Sequence, residues 1–330
     1  MVTYNQARIK QSEVAQLIIL HSLFSLRKSR GVIFQGGTAI RWFYGGLRFS
    51  EDLDFVTSLA REDLAALVES AGEPIRRQLV ANFGTGSFSV KEKEYHPSSY
   101  KAVIDFQPYA SRSKISVKME FEKLVSRMKP DTERKIMQAS PTVSYFLQEG
   151  GLKTPGVPVI VNIETAEEIL SDKLRALLER PYTKGRDFFD VWFLTETLRV
   201  EPKAGLLKRK LDMYEVPFTV TTPPSFYTQL EALEGEGKKI LAKEIHQDLA
   251  RFLGADTRSR PSDRTTTGTS FWLCRGLSGG SRGRASLISA GTAKGTREKH
   301  EGEDFKHGGC AQTAAVAAFH VRRRGEAGPP

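Results

Sequence analysis

The chain has 330 residues, with 49 Lys and Arg against 39 Asp and Glu for a net charge of +10, and only two cysteines. This length excludes a small stapled scaffold and admits two packed domains of roughly 100–200 residues each. Cys274 and Cys310 allow at most one disulfide and no cysteine-built metal centre, which fits a reducing cytosol and argues against a secreted disulfide framework.

From the start of the chain, Met1 to Lys10 is polar and unlike a secretory signal, and no apolar run reaches membrane-span length, so a soluble cytoplasmic protein with no membrane partner is expected. Ser12 to Leu26 carries apolar residues at helical spacing. Val32 to Gln35 reads as a strand, the stretch after Gly37 as a helix, Leu53 to Val56 as a strand and Glu62 to Val80 as a helix. Phe88 to Tyr95, Tyr100 to Gln107, Ile115 to Glu122 and Val157 to Ile163 are further strands, rich in Val, Ile, Phe and Tyr. The pattern then turns helical through Ala166 to Arg180, Asp187 to Leu198 and Phe226 to Leu253. The organisation expected is therefore an α/β domain over residues 1–163, a helical domain over 164–256 and an appended tail over 257–330.

Charge is concentrated in that tail. Residues 258–330 hold 13 of the Lys and Arg and 6 of the Asp and Glu, a net +7, leaving +3 on the rest. With 12 of the 28 glycines and few apolar residues, the tail cannot repay the entropy of ordering and is expected to be disordered. Two uses are open, a basic arm attracted to nucleic-acid phosphates and a dispensable extension.

Two motifs carry chemistry. Phe34-Gln35-Gly36-Gly37-Thr38 is a strand running through two glycines into a helix, which presents backbone N–H groups at a positive dipole end with no Cβ to block a phosphate. Asp52 and Asp54 follow on the next strand, their side chains on one face while Leu53 and Phe55 face the core. Two carboxylates so close repel unless a cation lies between them, and hard oxygen ligands favour Mg²⁺ held together with substrate phosphates. A solvated strand face and a plain glycine turn are the bland alternatives for each motif alone.

Gly36-Gly37-Thr38 followed by Arg48-x-Ser50-x-Asp52-x-Asp54 resembles the nucleotidyltransferase motif of the DNA polymerase β-like superfamily, and more narrowly the AbiEii/AbiGii toxin family. Glu167 to Leu177 and Gly185-Arg186-Asp187-Phe188-Phe189-Asp190 are similar to that family's Lys-bearing helix and its Arg-Asp-x-x-Asp helix, so the resemblance spans Val14 to Leu198. It implies a nucleotidyltransferase-type mixed sheet with helices, a helical C-terminal domain completing the nucleotide cleft, and an enzyme.

On the helix opened by Thr165 and Glu168, Lys173 falls inside the arc of Ile169, Leu170, Leu174 and Leu177. Its stem packs and its amine either snorkels to water or, as the resemblance implies, contacts a triphosphate in the cleft. Asp187 is either an N-cap or a buried carboxylate that needs a partner such as Lys173, and Asp190 is a candidate partner for Arg186. The superfamily adds a third carboxylate from a neighbouring strand; the resemblance selects Glu120, with Glu122 on the same face and Asp105 as rivals. The expected site is then Asp52, Asp54 and Glu120 as metal ligands for one or two Mg²⁺ ions. Gly36, Gly37, Thr38, Arg48, Ser50, Lys173 and Arg186 would bind the nucleotide, with Lys173 and Asp187 joining the carboxylates in catalysis. The substrate is a nucleoside triphosphate and the product pyrophosphate. The family resemblance points to a toxin of a bacterial abortive-infection pair, with a cognate antitoxin and an RNA acceptor, a tRNA end first. Protein hydroxyls, and a catalytically silent nucleotide-binding or antitoxin-binding module, remain alternatives. Arg76-Arg77 and Lys208-Arg209-Lys210 are small basic clusters of the kind that touch phosphates, or else solvated faces. His21, His96 and His246 lack metal-ligand spacing and receive no role.

Overall fold

The computed structural model describes residues 6–93, 98–149, 152–153, 157–181, 184–221, 247–249 and 252. The expected tail and most of the helix expected over 226–253 lie outside them.

Seven strands form one mixed sheet: β1 (Val32–Gln35), β2 (Leu53–Thr57), β3 (Gly86–Glu92), β4 (Ser99–Pro108), β5 (Ile115–Lys123), β6 (Thr132–Ile136) and β7 (Ile160–Glu164). Their order across the sheet is β3-β4-β5-β2-β1-β7-β6. β1 lies antiparallel to β2 and parallel to β7, and β2 lies parallel to β5. Every residue of β1 is buried, as expected for an apolar strand in the middle of a sheet. Phe55 of β2 stacks on Phe121 of β5 with ring centroids 4.7 Å apart, a pair worth about 0.5–1.5 kcal/mol beyond its area. That stack fixes the two strands on the side opposite the polar residues of the site.

The helices are α1 (Gln6–Phe24), α2 (Gly36–Phe43), α3 (Arg61–Phe83), α4 (Pro141–Gln148), α5 (Ala166–Glu179), α6 (Gly185–Trp192) and α7 (Ala204–Leu211). α1 is buried on all sides from Glu13 to Phe24, so it serves as core. The sequence reading missed three elements. β6 is an edge strand reading Thr-Glu-Arg-Lys-Ile, with no apolar face to announce it. α4 is one short amphipathic stretch opened by Pro141 at its first position. α7 carries the basic cluster Lys208-Arg209-Lys210 in its last turn, which hides its buried apolar face. The helix expected over Asp187 to Leu198 is α6 followed by a wider turn at Phe193–Thr197. No helix among the described residues is long and apolar enough to cross a membrane.

Candidate active site

The site lies where β1 hands over to α2. Gln35 is extended and Gly36 turns at φ +80°, a region costly for any residue with a Cβ. No side chain caps this helix N-terminus. Space also demands glycine here: a Cβ on Gly36 would sit 2.7 Å from Asp54 Oδ2, and one on Gly37 would meet the Arg48 guanidinium and, at 3.0 Å, Ser50 Oγ. The helix start and the Asp54 carboxylate are therefore in van der Waals contact.

Register places the acids. Asp54 pairs with Gln35 of β1 on one side and with Glu120 of β5 on the other. Burial and the neighbouring Asp52 charge push Asp54 up to about 6, with Glu120 adding to the effect and Lys173 and Lys118 opposing it. Among the described residues Asp54 makes no salt bridge, whereas Glu120 is held by Lys101 at 2.7 Å and by Lys118 at 3.2 Å. Burial raises the Glu120 pKa, but these two ammonium groups outweigh it and bring it below the usual range. Of the rival third carboxylates, Glu122 stands opposite Val56 and reaches Arg175 at 3.5 Å, and Asp105 is paired with Lys114 at 2.8 Å. Glu120 alone of the three is in register with Asp54.

The loop into β2 is held from behind. Gln16 on α1, fully buried, donates through Nε2 to the carbonyls of Ser50 at 2.6 Å and Glu51 at 3.1 Å. Sequence reading missed Gln16; a lone amide inside an otherwise apolar helical run was the available signal. The Thr38 hydroxyl, expected to face a phosphate, is buried and donates to the Asp52 carbonyl instead.

Lys173 and Arg48 meet on one carboxylate. Arg48 donates from Nε to Asp190 Oδ1 at 2.6 Å and from Nη2 to Oδ2 at 2.5 Å, and Lys173 Nζ lies 2.8 Å from the same Oδ2. Lys173 also reaches Asp187 Oδ1 at 3.3 Å, and Arg180 pairs with the other oxygen of Asp187. Burial lowers the Lys173 pKa; Asp190 opposes that and Arg48 reinforces it. Burial works against the Asp190 charge too, but Arg48 and Lys173 outweigh it and keep the carboxyl below its usual range.

Three expectations change accordingly. The Arg48 fork is closed on Asp190 rather than open to phosphate, because a buried guanidinium needs a buried anion. Asp190 serves Arg48 and Lys173, not Arg186, whose guanidinium lies over the Phe252 ring at 5.0 Å and 4.0 Å from Glu51. Asp187 is no N-cap, since α6 starts after Lys184; it is the buried partner of Lys173.

A family model for the nucleotidyl transferase AbiEii toxin of a type IV toxin–antitoxin system matches residues 20–266. The chain belongs to the AbiEii toxin family. It is thus a nucleotidyltransferase by family, and a toxin of such a system has an antitoxin as its counterpart. The crystal structure of JHP933 from Helicobacter pylori is similar at 16% identity and a TM-score of 0.42, covering 83% of this chain and 93% of that one. Another H. pylori protein, provisionally described as a nucleotidyltransferase, is similar at 17% identity and a TM-score of 0.40, covering 83% of this chain and 96% of its own. Among curated proteins the sequence finds no match.

Nucleotide transfer of the AbiEii kind implies a divalent ion, and the residues present fit one on a limited donor set. No three His, Cys, Asp or Glu side chains among the described residues converge on a ready-made cation cage. Asp52 and Asp54 supply two hard oxygen donors whose mutual repulsion a cation would relieve, and phosphates and water would complete the shell. The glycine turn packs against Asp54, so phosphates bound at the start of the helix would lie next to that pair. Beside it, α1 and the start of β5 enclose a cavity of about 180 Å³ lined in part by Arg8, Gln11, Glu51, Lys114 and Ser116.

The basic run at Lys208-Arg209-Lys210 is no phosphate-binding surface at its last member. Lys210 is fully buried, 2.7 Å from Glu164, 3.0 Å from Glu168 and 2.7 Å from Asp172. Arg209 pairs with Glu168 and Asp131. Arg76 is spent on Glu73 at 2.7 Å on the exposed side of α3.

Proposed function

We propose that this AbiEii-family protein is a Mg²⁺-dependent nucleotidyltransferase toxin that moves a nucleotide from a nucleoside triphosphate to an RNA end, a tRNA terminus first, and releases pyrophosphate. The observation that carries the reading is the contact between Gly36 and Asp54: an uncapped helix start and a carboxylate pair share one spot, which is what a metal-bound polyphosphate needs. The backbone N–H groups at Gly36 and Gly37 take phosphate oxygens. Asp52 and Asp54 would hold the ion. When bound, the ion supplies charge neutralisation at the α-phosphorus and a lowered pKa for the attacking hydroxyl. Lys173, set by Asp190 and Asp187, adds positive charge where the leaving pyrophosphate develops its own negative charge. Arg48 orients Lys173 through Asp190 without touching the nucleotide.

In the transfer, the acceptor oxygen forms a bond to the α-phosphorus while the bond to the bridging oxygen breaks. Pyrophosphate leaves with that electron pair, and the hydroxyl proton passes to water. The cavity suits the sugar-phosphate of an acceptor through Arg8, Gln11 and Ser12, since Lys114 and Ser116 on its lining are both held by Asp105. Cytoplasmic action follows from an RNA acceptor.

The test is incubation of the full chain with total RNA, Mg²⁺ and each radiolabelled triphosphate in turn. An RNA band acquires label with wild type and none does with Asp54→Ala. Equal labelling by Asp54→Ala refutes the site, and label on protein bands alone reassigns the acceptor. Nucleotide binding without pyrophosphate release, for every RNA offered, leaves only a silent binding module.

A further inference from the structure

Lys118 lies on the strand that supplies Glu120, and nothing in the sequence analysis gives it a role. β5 alternates, with Val117, Met119 and Phe121 in the core and Ser116, Lys118, Glu120 and Glu122 on the other face. Because β5 runs parallel to β2 with Leu53 opposite Met119 and Asp54 opposite Glu120, Lys118 falls beside Asp52. Its Nζ lies 3.2 Å from Asp52 Oδ2 and 3.2 Å from Glu120 Oε2, so a single ammonium bridges the two carboxylates. Lys101, opposite Glu120 on β4, takes the other Glu120 oxygen at 2.7 Å. Both oxygens of Glu120 are thereby occupied by protein cations, while Asp54 makes no salt bridge among the described residues.

A divalent ion bridging Asp52 and Glu120 would have to share this gap with an ammonium or expel it. Two cations a few ångströms apart repel strongly in a partly dehydrated site, so an ion on Asp52 and Asp54 would use Asp52 Oδ1, the oxygen that Lys118 does not hold.

We propose that Lys118 is the built-in cation of the site: its ammonium stands where a second divalent ion would bridge Asp52 and Glu120, so the chain with its nucleoside triphosphate takes one divalent ion, on Asp52 and Asp54. This rests on the proposed transferase reading and adds its metal count. Glu120 then acts as an anchor for Lys118 rather than as a metal ligand. The charge that a second ion would bring to the acceptor side of the site comes from the protein instead.

The probe is Mn²⁺, counted by electron paramagnetic resonance on the full chain saturated with a nucleoside triphosphate analogue that cannot be cleaved at the α-phosphate. Wild type is expected to hold one ion per chain, Lys118→Met two, and Lys101→Met one. The Lys118 side chain is 38% exposed, so its replacement by Met leaves the core intact. Two ions on wild type, or one ion on Lys118→Met, overturns the proposal while leaving the transferase reading standing. A chain that holds no Mn²⁺ beyond what the analogue carries in its absence overturns the reading of the site and the role of Lys118 with it.

Discussion

Asp190→Asn removes one negative charge from a point where two buried cations meet. The Arg48 and Asp190 side chains are 5% and 2% exposed, and Lys173 is 13% exposed, so none of the three has water to fall back on. The amide keeps the shape of the carboxylate but leaves Arg48 and Lys173 facing each other without their shared anion. Removing one partner of a buried ion pair costs about 3–5 kcal/mol, because the partner left behind remains desolvated. In a body of this size each kcal/mol moves the melting temperature by roughly 2–4 °C, so a fall of roughly 6–20 °C is expected in a thermal unfolding scan. Labelling of RNA should fall as well, since Lys173 loses the closer of its two carboxylates.

The paired change Arg48→Met with Asp190→Leu separates stability from function. Exchanging both charges for apolar groups of similar volume is often neutral or stabilising by about 1–4 kcal/mol. Lys173 still loses its closer carboxylate and keeps only Asp187, so this variant should melt between Asp190→Asn and wild type and still fail to label RNA, because Lys173 is no longer oriented. An Asp190→Asn protein that melts within about 2 °C of wild type refutes the energetic argument. Full labelling by the paired variant refutes the positioning argument.

Three further outcomes follow from the same contacts. Gly36→Ala places a Cβ 2.7 Å from Asp54 Oδ2 at φ +80°, so labelling should be lost at a stability cost of about 1–2 kcal/mol, read by urea unfolding. Lys210→Met strands Glu164, Glu168 and Asp172 around an empty charge and should cost about 3–5 kcal/mol, whereas Lys208→Met on the same helix should stay within about 0.5 kcal/mol in the same scan. In metal-free protein the native Asp54 carboxyl titrates at about 6 against an ordinary 3.8, so the native state binds the extra proton and stability falls as pH rises between those values. Asp54→Asn should remove that slope in urea titrations at stepped pH and abolish labelling.

Much of this arrangement was legible because it is local. Glycines before a helix and an Asp-x-Asp strand announce their geometry within a few residues, and the apolar strands β1, β2 and β5 declare their burial by composition. What escaped depends on partners far along the chain. Arg48 and Asp190 are 142 residues apart, and nothing near Arg48 tells a fork closed on a carboxylate from one open to phosphate. The Thr38 hydroxyl turns to the Asp52 carbonyl for the same reason. Lys210 is different, because its signal was present. Leu207, Lys210, Leu211 and Tyr214 recur at helical spacing and are all buried, which is the pattern that singled out Lys173 on α5. The surrounding Lys and Arg made the run look like a solvated face.

The two buried lysine networks meet α5 at neighbouring residues, Asp172 and Lys173. Lys173 faces Asp187 and Asp190 of α6, and Asp172, one residue earlier, faces Lys210 and Tyr214 at 2.7 and 2.6 Å. Consecutive helical residues point about 100° apart, so the two networks grip α5 from different sides. Turning the helix to relax one would pull the other open, and each break leaves buried charges without partners. If Lys173 meets a phosphate as proposed, it needs a support of this kind, because its long flexible stem fixes nothing by itself. Ionic contacts that add little net stability over apolar packing can be retained for that purpose, since apolar packing alone would let α5 roll.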